Sequence, residues 1–250
     1  MLEVKQLSAG YPGKTVLRDI SLTFPKGTVT VVAGPNGCGK STLLKAVAGI
    51  LSAEGAVFLE GEALMGLPSR LRAQRISFLP QSRQVPEITV KRLVLHGRFP
   101  YLSYPRQYGR ADYDAAEAAM AALNITELAD RPIASLSGGQ RQKAYIAMAL
   151  AQDTAAVLLD EPTTFLDIAH QLQLMILARE LAAKGKTVVL VLHDLTLALE
   201  HADALVVMEE GRVIAHGEPE AVFQSGCLRK AFGVDVGRTQ VNGRWKYFYL

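Results

Sequence analysis

Cysteine is scarce: Cys38 and Cys227 are the two in 250 residues, which rules out a disulfide framework and points to a reducing compartment. Long apolar runs are also missing. None nears the roughly 20 residues that a membrane-crossing helix needs, so the chain is expected to be soluble by itself and to need a partner for any membrane role. Met1 to Leu7 alternates like a strand and has no signal-peptide character. One-signed charge is lacking too. The formal net charge is +3, and no lysine/arginine block resembles a polybasic tail, so a nucleic-acid partner is not expected. With 49% hydrophobic and 20% charged residues the chain is globular rather than disordered. Its length suits one large α/β domain, with or without an inserted lobe, and a sizeable core.

What is present is a glycine-rich stretch between a strand pattern and a helix pattern. Thr28 to Ala33 is β-branched and apolar, and Ser41 to Ala48 reads as the first turns of a helix. Between and into them runs Gly34-Pro35-Asn36-Gly37-Cys38-Gly39-Lys40-Ser41-Thr42, which fits the phosphate-cradling pattern Gly-x-x-x-x-Gly-Lys-Ser/Thr. Backbone N–H groups without intrahelical partners point into such a turn, and the helix dipole favours an anion there. Gly37 and Gly39 permit a close backbone approach. Lys40 adds a point charge for the β- and γ-phosphates, and Ser41 a hydroxyl for Mg²⁺. Cys38 satisfies a need for a small side chain. Near Lys40 and a helix N-terminus, its thiol is expected to have a lowered pKa wherever solvent reaches it.

Elsewhere, strands are expected over Leu2 to Leu7, Thr15 to Phe24, Gly55 to Gly61 and Ile76 to Pro80. From Ser82 to about Ala134 the pattern turns helical, with an alanine-rich helix over Asp112 to Leu123. The core then resumes near Val157. The fold class is therefore α/β: a P-loop core with an N-terminal antiparallel β part and an inserted helical subdomain. The divisions are 1–81 and 155–225 for the core, 82–154 for the helical part, and 226–250 for a C-terminal extension. Asn242-Gly243 between β-prone runs signals a hairpin in that extension, which carries none of the motifs and looks decorative for catalysis.

Several polar residues sit where such a fold collects ligands. Gln81 follows a short strand, at the end where α/β sheets place ligand groups. Tyr11, taken alone, is a half-exposed loop aromatic; it could also lay its ring on a flat base. Leu136-Ser137-Gly138-Gly139-Gln140 precedes a helix that Ser137 can cap, and the glycines leave N–H groups for a second anion. A simple capping turn explains the same residues equally well. The strand Ala155 to Asp160 ends in two carboxylates whose side chains, by strand alternation, should point opposite ways. Asp160 can hold Mg²⁺ through water, and Glu161 can face the γ-phosphate and polarise an attacking water. His193 closes another buried strand, Thr187 to Leu192.

In order and spacing, these motifs resemble the nucleotide-binding subunit of an ABC transporter over nearly the whole chain. Gly34 to Thr42 resembles its Walker A motif, Val157 to Glu161 its Walker B with catalytic glutamate, and Leu136 to Gln140 its signature. The resemblance implies that Tyr11 stacks adenine, that Gln81 is the Q-loop residue and a metal ligand beside Ser41 and Asp160, and that Asp167 marks the D-loop. It makes His193 the switch residue. Thr164-Phe165 stands where Ser-Ala is frequent in the family. It further implies ATP and Mg²⁺ as cofactors and a head-to-tail dimer in which Ser137, Gly138, Gly139 and Gln140 of one copy close over ATP held by the other. Integral membrane permease subunits, and indirectly a substrate-binding protein, are the implied partners, at the cytoplasmic face of the inner membrane. The segments His96 to Tyr101, Ala149 to Thr154 and Glu161 to Gln171 are similar to the ATPases of ferric-siderophore, ferric-citrate, haem and cobalamin importers. A cobalamin importer or a soluble ATPase of iron–sulfur assembly are the alternatives. A DNA-repair or translation ATPase would be expected to carry a coiled-coil insertion or a second nucleotide domain.

Overall fold

The computed structural model describes residues 1–81 and 84–250; the expected start of the helical insertion, Ser82, lies outside them. β1 (Leu2–Tyr11) and β2 (Lys14–Phe24) form a hairpin, followed by β3 (Val29–Ala33), α1 (Lys40–Val47), β4 (Ala53–Leu59), the short β5 (Glu62–Ala63), α2 (Ser69–Ala73) and β6 (Ile76–Leu79). A helical stretch comes next: α3 (Val90–Leu95), a 3₁₀ turn over His96–Tyr101, α4 (Arg110–Ala122) and α5 (Gly138–Ala151). The chain then alternates through β7 (Ala156–Asp160), α6 (Ile168–Ala183), β8 (Thr187–Val191), α7 (Leu195–His201), β9 (Ala204–Glu209) and β10 (Arg212–Gly217). It ends with α8 (Pro219–Gln224), α9 (Cys227–Phe232), β11 (Val236–Val241) and β12 (Arg244–Tyr249).

Two sheets face each other across α1. The six-stranded sheet has the order β10-β9-β3-β8-β7-β6, parallel except for the β9–β10 hairpin, and the antiparallel sheet has the order β2-β1-β4-β5. β3, β7 and β8 are buried at every position. Apolar runs without alternation have that consequence, because helices or a second sheet cover both faces of a parallel sheet. β2 by contrast alternates, with Ile20, Leu22 and Phe24 inward. Each such side chain, fully buried, contributes about 1.5–3 kcal/mol of transfer free energy. One core packs between the sheets around Leu2, Leu17, Leu43 and Val191. The other lies on the far side of the six-stranded sheet and continues into α3, α4 and α5.

Strand ends deviate where backbone geometry intervenes. β4 starts two residues before Gly55 because that glycine sits inside the strand, opposite a bulge in β1 between Lys5 and Ser8. Its φ is 102°, and a Cβ there would meet the Gln6 carbonyl oxygen at 2.5 Å, so only glycine fits without a shift. Among the described residues of 82–154 the regular elements are all helices, apart from one isolated bridge between Thr89 and Pro132. α9 packs Leu228 and Phe232 on the larger core. The hairpin joins that packing through the buried Tyr247 and the half-buried Val236.

Candidate active site

The loop from Gly34 to Gly39 leaves the carboxyl end of β3 and enters α1. Gly39, at the N-cap, has φ 111°, and a Cβ on it would approach Leu17 to 2.9 Å. A larger residue would therefore be strained and crowded. Lys40 is buried and donates from Nζ to the carbonyl oxygens of Gly34 at 2.8 Å and Pro35 at 2.9 Å. The ammonium thus lies folded over the loop it belongs to.

A cleft of about 640 Å³ opens over this loop, lined among others by Tyr11, Asn36, Gly37, Gly39, Ser41, Thr42, Gln81, Glu161 and His193. Three strand ends supply its reactive side. β6 ends before Gln81, β7 before Glu161, and β8 two residues before His193. β6–β7–β8 are adjacent and parallel, so their carboxyl ends converge. Tyr11, 45% exposed at the end of β1, lines the cleft as well. Lys14 and Val16 line the cleft too. No motif spacing marks them, and the hint available was the turn that pairs Tyr11 with Lys14.

Ser41 donates from Oγ to Asp160 Oδ1 at 3.0 Å, and Asp160 Oδ2 is buried without a partner. Burial, opposed by the Ser41 hydrogen bond and reinforced by the neighbouring Glu161 charge, pushes the Asp160 carboxyl above its ordinary pKa. A buried, half-satisfied carboxylate beside a hydroxyl is a hard-oxygen donor set that suits Mg²⁺. Glu161 is saturated instead. Its Oε2 accepts from Gln81 Nε2 at 2.6 Å, and its Oε1 lies 2.6 Å from His193 Nε2.

The expected opposite pointing of Asp160 and Glu161 by strand alternation needs correction in its reason. β7 stops at Asp160, and Glu161 adopts φ 51°. A left-handed non-glycine residue, costing about 1–3 kcal/mol, turns the second carboxylate toward Gln81 and His193. The Cys38 expectation is corrected as well. The thiol is 4% exposed, and its pKa is raised, with burial outweighing the Lys40 charge that lowers it. Solvent does not reach it as a reactive thiolate requires.

Ser137, Gly138, Gly139 and Gln140 lie away from this cleft, at the start of α5. Ser137 caps that helix reciprocally: its Oγ accepts from the Gln140 N–H at 3.3 Å, and Gln140 Oε1 accepts from the Ser137 N–H at 3.2 Å. Gly138 and Gly139 face Phe165, a 77% exposed aromatic with φ 67°. Asp167 caps α6 by accepting from the His170 N–H at 2.8 Å, and this bond together with the His170 ring holds its carboxyl below the ordinary value. Gln142 donates to the Pro162 carbonyl at 2.7 Å, tying α5 to the turn after Glu161.

Residues 17–164 match the family model described as ABC transporter. The chain is 43% identical to the ferric enterobactin transport ATP-binding protein FepC of Escherichia coli (strain K12), over 93% of this chain and 87% of that protein. A solved transporter described as of metal-chelate ABC type, in an inward-facing conformation, superposes with a TM-score of 0.85 at 30% identity, covering 100% of this chain and 97% of that one. A dimeric bacterial ABC transporter cassette superposes with a TM-score of 0.78 at 26% identity, covering 88% of this chain and 99% of that one.

Proposed function

This chain belongs to the ABC transporter family, as an ATP-hydrolysing subunit that works with membrane permease subunits, and from that premise we propose that it energises uptake of an iron chelate. Ferric siderophores are the first candidates, with ferric citrate and haem next. The observation that carries the cargo reading is the 43% identity, over 93% of this chain, to a ferric enterobactin transport ATP-binding protein. Among the described residues no helix is long and apolar enough to cross a membrane. The subunit would act peripherally, at the cytoplasmic face, with a substrate-binding protein delivering cargo from the other side.

In the proposed reaction Tyr11 stacks on the adenine, and the N–H groups of Gly37 to Thr42 hold the phosphates beside Lys40. Ser41, Asp160 and Gln81 would hold Mg²⁺, which supplies charge neutralisation across the β- and γ-phosphates. Glu161 accepts a proton from the attacking water, and His193 contacts the γ-phosphate. Both already share one hydrogen-bonded group with Gln81, so an incoming phosphate and water exchange for contacts that Glu161 makes within the protein. Ser137, Gly138 and Gly139 cannot serve the same nucleotide as Lys40 of their own chain, because they lie outside its cleft. A head-to-tail second copy supplies them, with Asp167 at the seam. The helical part, 82–154, would move against the core, 1–81 and 155–225, about Gln81.

The test is uptake of labelled ferric siderophore, ferric citrate and haem by a strain lacking this chain, complemented with wild type or Lys40→Ala. Loss of one ferric chelate, restored by wild type alone, is expected. Unchanged uptake of all three contradicts the reading, and loss of cobalamin uptake instead selects the alternative.

A further inference from the structure

The C-terminal hairpin is bonded to the segment that carries His193, so it is not decorative. Tyr249, near the end of β12, accepts at Oη from the Leu195 N–H at 3.0 Å and donates to Asp194 Oδ1 at 3.4 Å. Those are the two positions after His193. Leu195 is the first residue of α7, whose N–H has no intrahelical acceptor. Asp194 is the cap of that helix, accepting from Thr196 N–H at 2.8 Å and Leu197 N–H at 3.2 Å. At the other end of α7, Glu200 pairs with the Lys246 ammonium and accepts from the Tyr247 N–H at 3.3 Å. β12 therefore grips α7 at both ends. The hairpin is itself anchored: the buried Tyr247 ring sits edge-on to Phe223 at 5.2 Å, and Arg238 pairs with Glu220 while lying 4.1 Å over the Trp245 ring.

A seven-residue helix has too few turns to hold its own direction, and its tertiary contacts decide where its N-terminus points. His193 lies one residue before the cap, half exposed, with its ring on Glu161. We propose that β12 braces α7 and thereby holds His193 in register with Glu161, with Tyr249 as the positioning residue. Tyr249 is 49% exposed, so its hydroxyl contributes little to the core. What it adds is a fixed exit direction for the backbone after His193. The inference rests on the reading of His193 as the phosphate-contacting residue.

The experiment compares wild type, Tyr249→Phe, His193→Ala and the double variant, purified with the permease subunits, for kcat, KM for Mg-ATP and Tm. Losing one neutral hydrogen-bonding hydroxyl predicts a kcat lowered about two- to tenfold, with KM and Tm little changed. In the His193→Ala background Tyr249→Phe should cost nothing further, because it acts through a ring no longer there. Glu200→Gln, which weakens the second grip, should lower kcat in the same direction. An unchanged kcat in both Tyr249→Phe and Glu200→Gln overturns the brace, as does an equal loss with and without His193. So does a drop in Tm that accounts for the loss. If His193→Ala itself turns over normally, the reading of His193 has failed, and the brace as a catalytic device falls with it.

Discussion

Glu161 Oε1 and His193 Nε2 lie 2.6 Å apart, on loops that leave the neighbouring parallel strands β7 and β8. Gln81, from the end of β6, occupies the other Glu161 oxygen. The carboxylate proposed as the base is thus held by two groups from β6 and β8, the strands on either side of β7. Under the proposed roles, a ligand contact at any one of the three is expected to disturb its hydrogen bonds to the others. Glu161 also stands at a left-handed backbone angle, so a change in its contacts shifts a residue already under strain.

The dimer prediction concerns Ser137. Its capped, exposed helix end is free to meet an anion from a second copy. Arginine in its place fills that position. In the Glu161→Gln background, Ser137→Arg should abolish ATP-dependent dimers in light scattering while leaving ATP binding by the monomer intact. Dimers that persist would contradict the head-to-tail arrangement.

Asp160 yields a prediction about pH. Its carboxyl is raised in the folded protein, first by burial. A raised folded pKa gives stability that is fully present below the unfolded value and lost as pH rises through the folded value. Above that folded value the buried charge is therefore a cost. Asp160→Asn keeps an acceptor for Ser41 and should raise Tm by about 2–4 °C for each kcal/mol relieved, with the gain shrinking as pH falls through the folded value. The same variant should lose Mg²⁺-dependent turnover. Thermal melts across that pH range check it, and a lower Tm above the folded value would show that the charge is compensated.

The two cysteines should label in the order their burial dictates. Cys38 is buried with a raised pKa, whereas Cys227 is half-buried, its thiol donating to the Val222 carbonyl at 3.7 Å. Native protein with maleimide at pH 7 should be modified first at Cys227 with no loss of ATP binding. Cys227→Ser should then label several-fold more slowly than wild type. Faster modification at Cys38 would mean that the loop opens readily.

How much of this was legible in the sequence depended on whether the signal was local. The buried strands β3, β7 and β8 announce themselves as apolar runs, β-branched in β3 and β8, and the Gly34 to Thr42 loop as a spacing that backbone geometry demands. The convergence of Gln81, Glu161 and His193 in one cleft follows from reading strand ends. α6 was not anticipated, because exposed Ile168, Leu172 and Ile176 blur its amphipathic pattern. The Glu161 turn was hidden because strand alternation assumes that the strand continues. Burial of Cys38 and the grip of Tyr249 on α7 depend on residues distant in sequence, Met208 beside the loop and the whole hairpin beside α7, and no local pattern encodes them.

The most direct test of the central claim is single-turnover ATP hydrolysis by Glu161→Gln, assembled with the permease subunits, beside equilibrium binding of Mg-ATP. Lys40, Ser41 and the loop are untouched by the change, so binding should stay within about twofold of wild type. Hydrolysis should fall by roughly 10²–10⁴, the loss expected when a water is deprived of its base. Hydrolysis at near wild-type rate with binding intact would contradict the assignment of Glu161 and, with it, the account of how the three strand ends work together.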